Sequence, residues 1–140
     1  LGVVLEGTLL KPSMTVPGAE CPTQSDPKEV AKNTINVMLK SLPKEVPGIT
    51  FLSGGLSEEA ASVYLNEMNS IGSHPWNVSF SYGRALQHSA LRAWAGKNLA
   101  EGQSFVLARA RANSEAAQGR YVTGSQPSSD EKLYVAGYTY

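Results

Sequence analysis

Apolar positions gather in three short runs separated by stretches with helical spacing. The first run is Gly2-Val3-Val4-Leu5-Glu6-Gly7-Thr8-Leu9-Leu10-Lys11-Pro12; the second is Ile49-Thr50-Phe51-Leu52 before Ser53-Gly54-Gly55; the third is Val78-Ser79-Phe80-Ser81-Tyr82 before Gly83-Arg84. Each predicts a strand. Between the first two, Asp26-Pro27 predicts an N-cap followed by proline at the first helical position. Val30, Ala31, Ile35, Met38 and Leu42 then fall on one face, and Pro43 stops the helix. Ser57 precedes Glu58 and Glu59 at the start of a second helix, whose apolar positions are Ala61, Val63, Leu65 and Met68 and whose end is Gly72. Leu86, Ala90, Leu91 and Trp94 predict a third helix closing at Gly96, and a fourth runs over residues 98–117 with Gly119 as its stop. The predicted order is βαβαβαα. Residues 1–119 form the folded part and residues 120–140 a flexible C-terminal tail, with Gly, Ser and Pro concentrated at 124–130.

The ends of the three runs carry the candidate chemistry: a lysine (Lys11), a Ser-Gly-Gly turn (53–55) and a Gly-Arg pair (83–84). α/β barrels build their sites from strand C-termini, so this placement points to an enzyme acting on a phosphorylated carbonyl compound. Three βα units cannot close a barrel, which takes about 250 residues and eight strands. A small open doubly wound domain therefore stays admissible on pattern alone.

Composition narrows the classes. A chain of 140 residues with 41% hydrophobic and 17% charged content fits one globular domain. Twelve basic residues balance twelve acidic ones, so nothing points to nucleic acid or a membrane surface as partner. The single cysteine, Cys21, cannot form an internal disulfide, which favours a reducing compartment. No run has transmembrane length and no signal-peptide pattern opens the chain. Because it starts inside a strand-like run, the chain reads as a fragment.

Leu5-Glu6-Gly7-Thr8-Leu9-Leu10-Lys11-Pro12, Phe51-Leu52-Ser53-Gly54-Gly55, Phe80-Ser81-Tyr82-Gly83-Arg84-Ala85-Leu86 and Gly137-Tyr138-Thr139-Tyr140 together resemble class I fructose-1,6-bisphosphate aldolase, in that family's order and spacing. The resemblance covers essentially the whole chain and corresponds to the C-terminal two-fifths of the enzyme. It implies a (β/α)8 TIM barrel, of which this chain supplies strands six to eight, the terminal helices and the tail. It also implies a glycolytic, gluconeogenic or Calvin-cycle lyase that cleaves fructose 1,6-bisphosphate through a lysine Schiff base. By the same resemblance Lys11 matches the Schiff-base lysine and Tyr140 a C-terminal tyrosine linked to substrate preference and proton exchange. Ser53, Gly54, Gly55, Ser81, Gly83 and Arg84 match positions that hold a sugar phosphate. The family's acid/base residues lie on earlier strands, so the fragment alone is expected to be inactive. No cofactor is implied, and the full-length protein is expected to be a homotetramer in the chloroplast stroma or cytoplasm. Pro12-Ser13-Met14 and Pro17-Gly18-Ala19-Glu20-Cys21 look closer to plastid plant members. Leu56 and Ala60 depart from a common glutamine and glutamate; the latter change removes the N3 acid of a capping box begun by Ser57.

Read as bare residues, each feature also has a plainer role. A lysine at a strand end usually snorkels to solvent. A neutral, partly desolvated lysine instead attacks a ketone, and the iminium withdraws electrons from the adjacent carbon–carbon bond. Ser-Gly-Gly alone is a turn; with Arg84 on the next strand it becomes a phosphate cradle of backbone N–H groups and a guanidinium fork. Glu6 reads as an ion-pairing residue rather than a general base. His74 and His88 lack metal-ligand companions, so no metal is assigned. Cys21 reads as an ordinary thiol, and Trp76 and Trp94 as packing residues. The alternative function is a non-catalytic module that binds sugar phosphate or a cytoskeletal partner.

Overall fold

The computed structural model describes residues 2–132. They form a three-stranded parallel sheet in the order β1-β2-β3, from β1 (Leu9–Leu10), β2 (Gly48–Phe51) and β3 (Asn77–Phe80). Four helices accompany it: α1 (Pro27–Ser41), α2 (Glu58–Ser70), α3 (Arg84–Trp94) and α4 (Leu99–Ala116).

The helix boundaries follow local chemistry. Asp26 Oδ1 accepts from Lys28 N at 3.1 Å and Pro27 occupies the first turn of α1. Ser57 Oγ accepts from Ala60 N at 3.1 Å, so the N-cap of α2 forms although the capping-box acid is missing. Asn98 caps α4 in the same way. The third helix ends through Ala95, which takes a left-handed conformation (φ 44°), followed by Gly96 at φ 73°.

β2 is the centre of the sheet. Ile49 and Phe51 are fully buried and pair with Val78 and Phe80 of β3. Gly48 sits close to both neighbours: a Cβ there would lie 2.9 Å from Leu9 Cδ2 and 3.4 Å from the Asn77 carbonyl, so the exposed Leu9 side chain would have to shift to admit it. Val30, Ala31 and Ile35 of α1 and Ala61, Leu65 and Met68 of α2 complete the core with this sheet. Trp76 is buried as expected, and its Nε1 donates to the Pro43 carbonyl at 2.9 Å, tying together the approaches to β2 and β3.

By alternation Ile49, Phe51, Val78 and Phe80 share the helix-covered face, whereas Thr50 and Ser79 share the opposite one. Leu9 pairs with Gly48, so Leu9 and, two residues on, Lys11 belong to that second face. Among the described residues it carries no helix, and Leu9 is 65% exposed.

Two sequence expectations change. The first apolar run is mostly not a strand: Leu5–Gly7 form a 3-10 turn, closed by Gly7 N to Val4 O and Thr8 N to Leu5 O, and only Leu9–Leu10 pair with β2. Val3, Val4 and Leu9 are all at least 65% exposed: the first two lie ahead of β1, and among the described residues β1 has a partner on one side only. Trp94 is also not a core residue. With Leu91, Leu99 and Leu107 it lines an open groove of about 510 Å³ between α3 and α4, although its Cβ packs so tightly on Gly102 that an added methyl would sit 2.8 Å away.

Tyr82 lies just beyond β3, buried, with its hydroxyl donating to the Ala61 carbonyl at 2.9 Å. Burial pushes its phenol far above the usual tyrosine range, with Arg109 pulling weakly the other way. A phenol whose folded pKa is raised contributes stability that is intact below about 10 and is lost as pH rises beyond it. Tyr82→Phe is expected to cost about 0.5–1.5 kcal/mol at neutral pH and to flatten the alkaline loss of stability. Denaturant titrations at neutral and alkaline pH check this; an unchanged alkaline slope contradicts it.

Candidate active site

The C-terminal ends of the strands lie along one edge. Leu52 N donates to the Pro12 carbonyl at 3.0 Å, and Ser81 N to the Phe51 carbonyl at 2.9 Å. Lys11, Ser53 and Ser81 therefore follow their strands onto the same edge of the sheet. Ser53 is buried, and a turn closed by Leu56 N to the Ser53 carbonyl (2.8 Å) leaves Gly54 and Gly55 exposed. Gly54 has φ 39°, the left-handed region that suits glycine.

Gly83 is the N-cap of α3 and makes no side-chain cap bond, and no acid stands in the first turn of that helix. Such an end is suited to an anion. From the first position of α3, Arg84 Nη2 donates to the Gly54 carbonyl at 3.2 Å, which brings the Ser-Gly-Gly turn and the Gly-Arg pair into one cluster. Its Nη1 donates to the Glu131 carbonyl at 3.0 Å, while Nε is buried with no partner among the described residues. A groove of about 650 Å³ runs beside this cluster, lined by Ser13, Met14, Ser53, Gly55, Tyr64 and Lys132 among others.

Ser53, Gly54, Gly55, Ser81, Gly83 and Arg84 are thus gathered at one corner of the sheet. Lys11 is on the same edge but exposed, as Leu9 and Leu10 beside it are. The desolvation expected from its apolar neighbours is not provided by residues 2–132, since β1 has an open side. Tyr140 lies outside the described residues. Glu6 sits in the 3-10 turn and is exposed. Cys21 is an exposed loop thiol, and His74 Nε2 bonds the Met68 carbonyl at 2.7 Å. Among the described residues no group of three or more His, Cys, Asp or Glu could hold a metal ion, and no helix is long and apolar enough to cross a membrane.

The sequence pattern did not reveal the polar network beneath the site. Glu58, expected only as a favourable acid at a helix start, is fully buried. Its carboxylate accepts from Ser89 N (2.9 Å), Ser89 Oγ (2.5 Å) and Ser129 N (2.8 Å). Arg109, also fully buried, donates from Nη2 to the Glu58 carbonyl (2.8 Å) and to Ser62 Oγ (2.5 Å), and Ser62 bonds Asn113 Oδ1 at 2.7 Å. Glu59 accepts from the Tyr121 hydroxyl and from Gly124 N, each at 2.8 Å. Burial raises the Tyr121 phenol, reinforced by its bond to Glu59. Residues 120–131, expected as part of a tail, are therefore joined to α2 and α3 by several hydrogen bonds.

Parallel βα units with polar and cationic groups at the carboxyl edge of the sheet define part of an α/β protein, an architecture in which ligands generally bind at that edge. The chain belongs to the glycolytic, class-I fructose-bisphosphate aldolase family, whose model matches residues 1–140. It is 50% identical to fructose-bisphosphate aldolase B of Sparus aurata over 143 aligned residues, covering 99% of this chain and 39% of that protein. It is 48% identical to the chloroplastic fructose-bisphosphate aldolase 1 of Arabidopsis thaliana, covering 99% of this chain and 35% of that one. The solved aldolase of Plasmodium falciparum, in a complex with TRAP and a small-molecule inhibitor, superposes with a TM-score of 0.86 at 49% identity, over 88% of this chain and 36% of that one. The chain spans less than two-fifths of the length of each of these relatives.

Proposed function

We propose that the full-length polypeptide carrying this chain cleaves fructose 1,6-bisphosphate reversibly into dihydroxyacetone phosphate and glyceraldehyde 3-phosphate. The observation that carries this reading is the shared strand edge, where Lys11 stands with the Ser53–Gly55 turn and Arg84 in a chain of the aldolase family. In this reading the three strands are the sixth to eighth of a (β/α)8 barrel. The helix-free face bearing Leu9, Lys11, Thr50 and Ser79 is then its interior, and an adjoining strand on the open side of β1 shields Lys11 from water.

Lys11, as the free amine, adds to the substrate ketone and loses water to give an iminium. The iminium accepts the electron pair of the adjacent carbon–carbon bond as that bond breaks, releasing the aldehyde. Proton transfers fall to residues on earlier strands, so residues 1–140 alone are not expected to turn over. The N–H groups of Ser53, Gly54 and Gly55, with Ser81, the α3 N-terminus at Gly83 and the Arg84 guanidinium, hold one phosphate of the substrate. Tyr140 takes part in proton exchange on the bound substrate, and the complete protein assembles as a homotetramer in the stroma or cytoplasm.

Borohydride reduction in the presence of dihydroxyacetone phosphate, followed by peptide mapping, tests the reaction: an adduct is expected on Lys11. No adduct, with ligand still bound, would instead mark a sugar-phosphate-binding module. Arg84→Ala is expected to weaken the bisphosphate by about 1.5–3 kcal/mol, the contribution of a charge-assisted hydrogen bond, and to affect a non-phosphorylated analogue far less. Equal losses for both ligands would give Arg84 a structural role.

A further inference from the structure

The phosphate cluster is built from two separate stretches of chain. The Ser53–Gly55 turn follows β2 and leads into α2, which opens at Glu58. Gly83 and Arg84 follow β3 and open α3. Arg84 Nη2 meets the Gly54 carbonyl at 3.2 Å, but that bond occupies the guanidinium that an anion needs. The spacing of the two halves has to be held elsewhere, because N–H groups grip an oxyanion only within about 2.7–3.2 Å.

Glu58 is placed to hold it. The residue is fully buried; its Oε1 accepts from Ser89 N at 2.9 Å and its Oε2 from Ser89 Oγ at 2.5 Å. Ser89 lies five residues beyond Arg84, in the second turn of α3. The first residue of α2 is thereby clasped at two points to α3. A further bond, from the Tyr82 hydroxyl to the Ala61 carbonyl at 2.9 Å, ties the end of β3 to the same turn of α2. The third donor to the Glu58 carboxylate is Ser129 N, whereas Arg109 donates to the Glu58 carbonyl. A buried carboxylate is costly, and an apolar pair of similar volume would hold two helices together as well or better. What the clasp adds is direction. Two bonds from one carboxylate to one residue fix rotation as well as distance, while apolar contact is non-directional.

We propose that Glu58 is a positioning residue for the substrate phosphate, its clasp on Ser89 setting Gly83 and Arg84 at the working distance from the Ser-Gly-Gly turn. The proposal rests on reading this cluster as a phosphate site. Glu58 is itself sealed from solvent and acts only through the groups it aligns.

The test is calorimetric titration of the full-length polypeptide with inorganic phosphate, paired with urea denaturation. Ser89→Ala removes the hydroxyl and keeps the backbone N–H; Glu58→Gln keeps the shape but offers one acceptor oxygen in place of two. Each should weaken phosphate by about two- to tenfold, the range that the net worth of one hydrogen bond spans. Together they should lose less than the product of the separate effects, since both break the same bond. Borohydride trapping of dihydroxyacetone, which has no phosphate, should stay at the wild-type level in both variants. If both variants lose stability yet bind phosphate per folded molecule as the wild type does, Glu58 is a structural residue only; the proposal is overturned and the phosphate site stands. An equal loss of dihydroxyacetone trapping overturns it too, by showing a general distortion. If Arg84→Ala binds phosphate as the wild type does, the phosphate reading of the cluster falls and the role of Glu58 falls with it.

Discussion

Replacing Lys11 with methionine in the full-length polypeptide is expected to abolish the borohydride-trapped adduct and to lower kcat by several orders of magnitude, as loss of a covalent nucleophile does. The side chain keeps its length and apolar stem, so packing along β1 changes little, and only the amine is removed. Lys11→Arg provides the complementary variant: the positive charge stays, but a guanidinium remains protonated and cannot form an imine. Both variants should still bind bisphosphate, because the Ser53–Gly55 turn and Arg84 are joined to each other and not to Lys11. A split between retained binding and lost turnover is the signature of a residue acting in the chemical steps. An undiminished adduct in Lys11→Met would place the imine on another lysine and remove this edge of the sheet from the reaction.

The sequence pattern was most informative where chemistry is local. Asp26-Pro27 and Ser57 marked their helix starts because an N-cap acts within three residues, and the caps are formed. The apolar residues of β2 and β3 were legible because both strands pack beneath helices. The first run failed for the opposite reason: Val3, Val4 and Leu9 are as apolar as strand residues elsewhere, but these residues lack a second strand partner and are exposed. Hydropathy reports a demand for burial, not the element that meets it. Trp94 misled in the same way, since its helical spacing matches a core stripe while the groove beside it is open. At the site, the Ser-Gly-Gly turn and the Gly-Arg pair were visible as motifs, and the structure joins them through one hydrogen bond. The Glu58–Arg109 network was not visible, because its members are about fifty residues apart in the chain. A trace did exist in α4: Arg109 and Asn113 stand four apart on the same stripe as the buried Ala112 and Ala116.

Arg109→Ala is expected to be among the most destabilising single substitutions in this chain, at about 3–5 kcal/mol, the cost of removing one partner from a buried charged network. The guanidinium is fully buried and its Nη2 is shared between the Glu58 carbonyl and Ser62 Oγ. Nη1 reaches the Pro127 carbonyl at 3.4 Å and lies 3.8 Å from Glu59 Oε2. Truncation opens a cavity between α2 and α4, removes the donor shared by the Glu58 carbonyl and Ser62 Oγ, and leaves Glu59 without the nearby positive charge. Arg109→Lys keeps the charge but not the planar fork, so it should recover only part of the loss. Urea denaturation of the full-length polypeptide, followed by probes on both sides of the chain, separates local loosening from global unfolding. A cost within about 0.5 kcal/mol of wild type, the range of ordinary surface substitutions, would show that the network is dispensable. The expected loss also reaches the site, because Glu58 anchors Ser129, and Glu131, two residues on, accepts from Arg84 through its carbonyl.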